Sequence, residues 1–149
     1  MKPKISSFIG IALVILIGAG SFFGCAEIKA YAGSEFSLLY KRLGIAPLPA
    51  KFELQADINR GLTGLVREAC DKRAIFSLGE GLLKSGNDRI AANAYLGFAA
   101  TCPNGEGDKY RAAEILFAIA DYKQVVAILS DLIAVRPESD DYRYLIPSP

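Results

Sequence analysis

Apolar residues follow three kinds of spacing along this chain. Between Phe8 and Phe23 they form one run, broken only by glycine and serine. Phe36, Leu39, Tyr40 and Leu43 then recur at i, i+3, i+4 and i+7, which places them on one face of a short helix. Ser34 is positioned to cap that helix, Glu35 sits in its first turn and Gly44 follows its end, so residues 27–50 read as a tether holding one short helix. Its apolar face packs on the following domain or, with Lys41 and Arg42, lies on a membrane surface. Pro47 and Pro49 restrict the residues before them and end any helix there. From Lys51 to Ala69 the helical pattern returns as a looser stripe of Phe52, Leu54, Ile58, Leu62, Leu65 and Val66. Gly61 and Gly64 each cost about 1 kcal/mol against alanine in a helix, which is understandable if another helix approaches closely there.

Beyond residue 71 the helical pattern comes back on itself. Four helices are expected, over Lys72–Ser85, Asp88–Thr101, Lys109–Ile119 and Tyr122–Val135, with Asp71, Asn87, Asp108 and Asp121 as their N-caps. Pro103 and Pro137 lie 34 residues apart, and at the same offset Gly86 matches Ala120, Asn87 Asp121, Ala91 Val125, Tyr95 Leu129 and Phe98 Leu132. Small residues (Gly79, Ala91, Ala112, Ala113) let helix axes approach, while Leu82, Tyr95, Phe98, Leu116, Leu129 and Leu132 fill the spaces left.

This register resembles the tetratricopeptide repeat, a helical hairpin with a small residue in its turn and proline at its end. Leu78-Gly79, Leu82, Gly86, Ala91, Tyr95, Phe98 and Pro103 occupy the pattern positions of the first copy. The second copy has Ala112-Ala113 and Val125 instead. The resemblance implies an all-α fold, a short right-handed solenoid of antiparallel hairpins over residues 51–146. Its parts are a capping half-repeat at 52–69, repeats at 72–103 and 106–137, and an incomplete repeat at 139–146. That last piece is expected to start at a Ser139 cap and to carry Tyr142, Tyr144, Leu145 and Ile146. In this family the first helix of each hairpin lines a concave groove. The matching positions are Arg73, Phe76, Ser77, Glu80 and Lys84, then Tyr110, Arg111, Glu114 and Phe117. The resemblance implies a binding scaffold that takes an extended peptide or a partner helix from another protein; an ordinary solvated face is the alternative. One subtype holds C-terminal carboxylates with Lys and Asn, but Phe76 and Glu80 stand at two of those places, so that specificity does not carry over.

Lys2 and Lys4 ahead of the apolar run make residues 1–26 resemble an export signal. Gly24-Cys25 resembles a bacterial lipoprotein box, in which the Cys25 thiol is lipidated. Cleavage after Gly24-Cys25-Ala26 or Ala30-Tyr31-Ala32, and retention as an anchor, are the alternatives. Each leads to the periplasm or to a membrane anchor facing it. Cys70 precedes the first helix of the first hairpin and Cys102 ends its second. Antiparallel helices bring those ends together, and an exported chain meets an oxidising compartment, so a disulfide between them is expected. Two buried free thiols are the alternative.

A length of 149 residues allows one modest domain. The net charge of +1 becomes −1 once Lys2 and Lys4 leave with residues 1–25, which argues against a nucleic-acid partner. With no histidine and three cysteines, little metal or acid–base chemistry is open, and no metal, cofactor or catalytic residue is expected. Gly79-Glu80-Gly81 falls inside a helix and Gly105-Glu106-Gly107 between hairpins, so neither is a phosphate loop. Asp140-Asp141 suits a helix N-terminus rather than a metal. The expected function is a protein-binding scaffold of the cell envelope. Two alternatives remain: an accessory segment of a larger envelope enzyme, such as one with a retroviral-type aspartic protease domain, and a structural lipoprotein.

Overall fold

The computed structural model describes residues 36–145, and among them every regular element is a helix. A first helix, α1, covers 36–43. It is followed by α2 (Ala50–Glu53), α3 (Ala56–Arg67), α4 (Lys72–Lys84), α5 (Asp88–Thr101), α6 (Glu106–Ala118), α7 (Tyr122–Val135) and α8 (Asp141–Tyr144). The expectations for residues 1–35 and 146–149, Cys25 included, lie outside the described residues.

From α2 onward each helix packs chiefly on its neighbours in sequence. The contacts are close because small residues stand at the crossings. A Cβ on Gly61 would lie 2.5 Å from the Leu78 amide nitrogen, and one on Gly64 would lie 2.6 Å from the Ala74 Cβ, so α3 and α4 touch backbone to backbone. Gly79 in turn gives its space to the Tyr95 ring, 2.4 Å from where its Cβ would be. The apolar face of α1 joins the same core: Leu39, Tyr40 and Leu43 are buried. The Leu43 carbonyl oxygen lies 2.0 Å from the place of a Cβ on Gly97 of α5. Arg42 Nη2 donates to the carbonyls of Leu65 and Ala69, at 3.2 and 3.4 Å, capping the negative end of α3.

The hairpins α4–α5 and α6–α7 repeat with a constant offset. All four helix boundaries of the second equal those of the first plus 34. The turns repeat bond for bond. Asn87 N donates to Leu82 O at 2.9 Å and Gly86 N to Leu83 O at 3.0 Å; Asp121 N donates to Leu116 O at 2.9 Å and Ala120 N to Phe117 O at 3.0 Å. Both are left-handed C-terminal caps, with φ of 72° at Gly86 and 61° at Ala120. The C-terminus of α3 shares the register, since Glu68 N donates to Gly64 O and Cys102 N to Phe98 O, each at 2.9 Å.

Several local expectations are corrected. The helix over 51–69 is broken: α2 stops at Glu53, whose carboxylate accepts from Tyr40 Oη at 2.5 Å and whose carbonyl accepts from Asn59 Nδ2 at 3.0 Å. Leu54 leaves the stripe in that break and is 82% exposed, and Val66 is exposed as well. Asp71 and Asp121 cap as expected, but Asp108 does not. Asn104 turns the chain at a φ of 55°, so α6 starts at Glu106 and Asp108 sits in its first turn, paired with Lys72. The Asn87 side chain donates back to Ser85 O at 3.1 Å and so closes α4 rather than capping α5. Ser139 lies in a turn with its amide on Arg136 O, and Asp140 takes the cap position of α8 without a side-chain bond. Tyr142 is buried against Tyr110, whereas Tyr144 is exposed.

Candidate functional site

The N-terminus of α4 is fixed by Asp71, whose Oδ1 accepts from Arg73 N at 2.8 Å and Ala74 N at 3.2 Å. Its rotation about its axis is fixed by Gly61 and Gly79 at the crossings. The exposed side of α4 therefore meets α3 in a surface recess of about 400 Å³. Arg73, Phe76, Ser77, Glu80 and Lys84 line it together with Asp57 and Arg60. Ser77 Oγ donates to Asp57 O at 2.9 Å, and Lys84 Nζ reaches Asp57 Oδ2 at 2.9 Å. That hydrogen bond holds the Asp57 carboxyl below its ordinary range and raises Lys84. Phe76 stands out among these charges with 59% of its surface exposed.

Arg111 of α6 joins the recess to the second hairpin. Its Nη2 donates to Glu80 Oε1 at 2.9 Å and its Nη1 to Glu114 Oε2 at 3.2 Å. One guanidinium thus ties α4 to α6 through a half-buried link. The other two α6 positions face different neighbours. Tyr110 Oη donates to Asp141 O at 3.2 Å while its ring lies 5.5 Å from that of Tyr142. Phe117 packs edge-on to Tyr122, with 5.4 Å between ring centres. The structure thus gathers five α4 residues in one recess, links Arg111 and Glu114 to them through Glu80, and places Tyr110 and Phe117 elsewhere on the second hairpin.

No protein-family model, curated protein or solved structure matches the chain.

The site's character follows from its own side chains. Sequence reasoning placed the groove on α4 and α6 alone and missed the contribution of α3. Gly61 and Gly64 mark where α4 crosses, and Arg60 and Arg67, seven residues apart, share the face beside that crossing. The recess mixes guanidinium, ammonium, carboxylate and one aromatic ring, a set suited to noncovalent recognition. Among the described residues no three His, Cys, Asp or Glu side chains come together as metal ligands, and no helix is long and apolar enough to cross a membrane. Cys70 and Cys102 form a disulfide with their Cα atoms 5.5 Å apart, closing the open end of the α4–α5 hairpin.

Proposed function

We propose that residues 51–146 are a short tetratricopeptide-like right-handed solenoid, and that it binds an extended peptide or helix of another protein through the side built by α4 and α6. The observation that carries this reading is the repetition of helix bounds and turn bonds at an offset of 34 residues, the period of that repeat. The exposed Phe76 within a charged recess supports a binding role, because apolar anchors ringed by polar groups characterise interaction sites. The disulfide supports export, since such bonds persist in oxidising compartments. Lys2 and Lys4 before the Phe8–Phe23 run support it too, as an export signal of a bacterial envelope protein would.

The test is capture from envelope extract on the immobilised full-length chain, beside a Phe76→Ser, Arg111→Glu variant that melts at the same temperature. Proteins held by the natural chain and lost by the variant are the expected result. An identical captured set from both overturns the reading. Intact mass of the protein recovered from membranes distinguishes lipidation at Cys25, cleavage and a retained anchor.

A further inference from the structure

A second recess continues the first along α3 and α4 and shares Arg60 and Arg73 with it. It encloses about 390 Å³, and Arg60, Arg67 and Arg73 line it, with Asn59 and Thr63 adding polar groups. Its floor is the close crossing at Gly64 and Ala74, which leaves a hollow where larger side chains would stand. The one carboxylate in this lining, Asp71, is already engaged with two amides of α4. Among the described residues no carboxylate pairs with Arg67 or Arg73, and Arg60 has only a 3.4 Å contact to Asp57. The neighbouring lysines are committed, Lys84 to Asp57 and Lys72 to Asp108. Three guanidinium forks therefore line a hollow, those of Arg67 and Arg73 without a carboxylate partner and that of Arg60 with only its long contact to Asp57, and such forks match carboxylates two bonds at a time.

We propose that this recess binds the carboxylates of an acidic, extended segment of a partner protein, with Phe76 receiving an apolar side chain farther along the same trough. The proposal rests on the reading of this side as a protein-binding face and names the chemistry of the partner. Charge complementarity selects the occupant. A basic segment is repelled, and a neutral one offers the three exposed guanidiniums no counter-charge. Arg60 and Arg67 are two helical turns apart, roughly 10 Å. That spacing suits acidic residues about three positions apart in a polyproline-II-like chain, which advances roughly 9 Å in three residues. A nucleic-acid strand needs a longer basic track, and here Asp57 and Glu80 interrupt it.

The full-length chain is titrated into a short fluorescein-labelled glutamate-rich peptide with a central phenylalanine, and into its glutamine counterpart, with anisotropy as the readout. The glutamate peptide should bind more tightly, weaken with added salt, and lose about tenfold in affinity with Arg67→Glu or Arg73→Glu, the equivalent of one charge-assisted pair. Arg67→Gln and Arg73→Gln serve should either charge reversal fail to fold, and Lys123→Glu on α7 should change nothing. Equal affinity for the two peptides, or affinity unmoved by the arginine variants, overturns the proposal. So does tighter binding of a single-stranded oligonucleotide or of phosphatidylglycerol vesicles at the same salt. If Arg67→Glu weakens the peptide while Phe76→Ser, Arg111→Glu leaves envelope capture unchanged, the carboxylate site stands and the groove reading alone fails.

Discussion

The Tyr95 hydroxyl is buried and has no hydrogen-bond partner among the described residues. Its ring occupies the space that Gly79 leaves, and the ring fixes where the hydroxyl lies. Removing an unsatisfied hydroxyl relieves a desolvation cost, so Tyr95→Phe should leave stability unchanged or raise it by about 1 kcal/mol, measured by urea unfolding. Burial, assisted by Glu80, pushes the Tyr95 hydroxyl up to about 12, from an ordinary value of 10.0. The folded chain therefore holds this proton more tightly than the unfolded chain. The resulting stabilisation is complete below pH 10 and lost as the pH climbs toward 12. Melting temperatures should fall across that window, and less steeply in Tyr95→Phe. Burial and Glu53 shift Tyr40 in the same direction. Glycines give a second residue-scale outcome. Gly61→Ala forces a Cβ against the Leu78 backbone and should destabilise by about 1–3 kcal/mol. Gly107→Ala meets open space in α6 and should stabilise by about 0.4–1 kcal/mol, and thermal melts of the pair separate space from propensity. The role of Gly61 was legible because a glycine is costly in a helix unless something occupies its missing side chain. Asp108 was misread because aspartate suits both a cap and a first turn, and only the path of Asn104 decides between them.

At the scale of elements, the two hairpins differ in what holds their ends. Gly86 adopts its left-handed turn freely, whereas Ala120 does so against the steric cost of its Cβ. Ala120→Gly should therefore stabilise by about 0.5–1 kcal/mol in urea titrations, and a loss of stability would show that the turn owes its shape to something else. The first hairpin is also closed covalently, with Cys70 and Cys102 standing 32 positions apart. Opening that loop with Cys70→Ala, Cys102→Ala should cost up to about 3.5–4 kcal/mol by chain entropy. Equal melting temperatures with and without reductant would contradict this. Both features could be read from sequence, because Gly86 and Ala120 recur at an offset of 34 and because Cys70 and Cys102 fall at the two ends that an antiparallel hairpin brings together. The break between α2 and α3 could not, since it depends on Tyr40 and Asn59 converging on Glu53 from different parts of the chain.

From α2 onward, packing passes from each helix to the next, so stability accumulates neighbour by neighbour. That is why the helical order was legible from a single register while the recess between α3 and α4 was not. A register says which residues recur, and a recess depends on the angle at which two helices cross. The disulfide has a further consequence when the molecule is loaded in tension. A pull on the two chain ends enters at Cys70, crosses the bond and leaves at Cys102, so α4 and α5 carry none of it while the bond is intact. In a single-molecule stretching experiment the oxidised chain should release about 100–110 Å less contour length than the reduced one, the span of 32 extended residue steps less the bridge. The helix that bears Arg73, Phe76 and Glu80 is thus shielded from mechanical load. The facing wall of the recess, α3 with Arg60 and Arg67, lies on the loaded path, so a partner held between α3 and α4 would be released as the rest of the chain is drawn out.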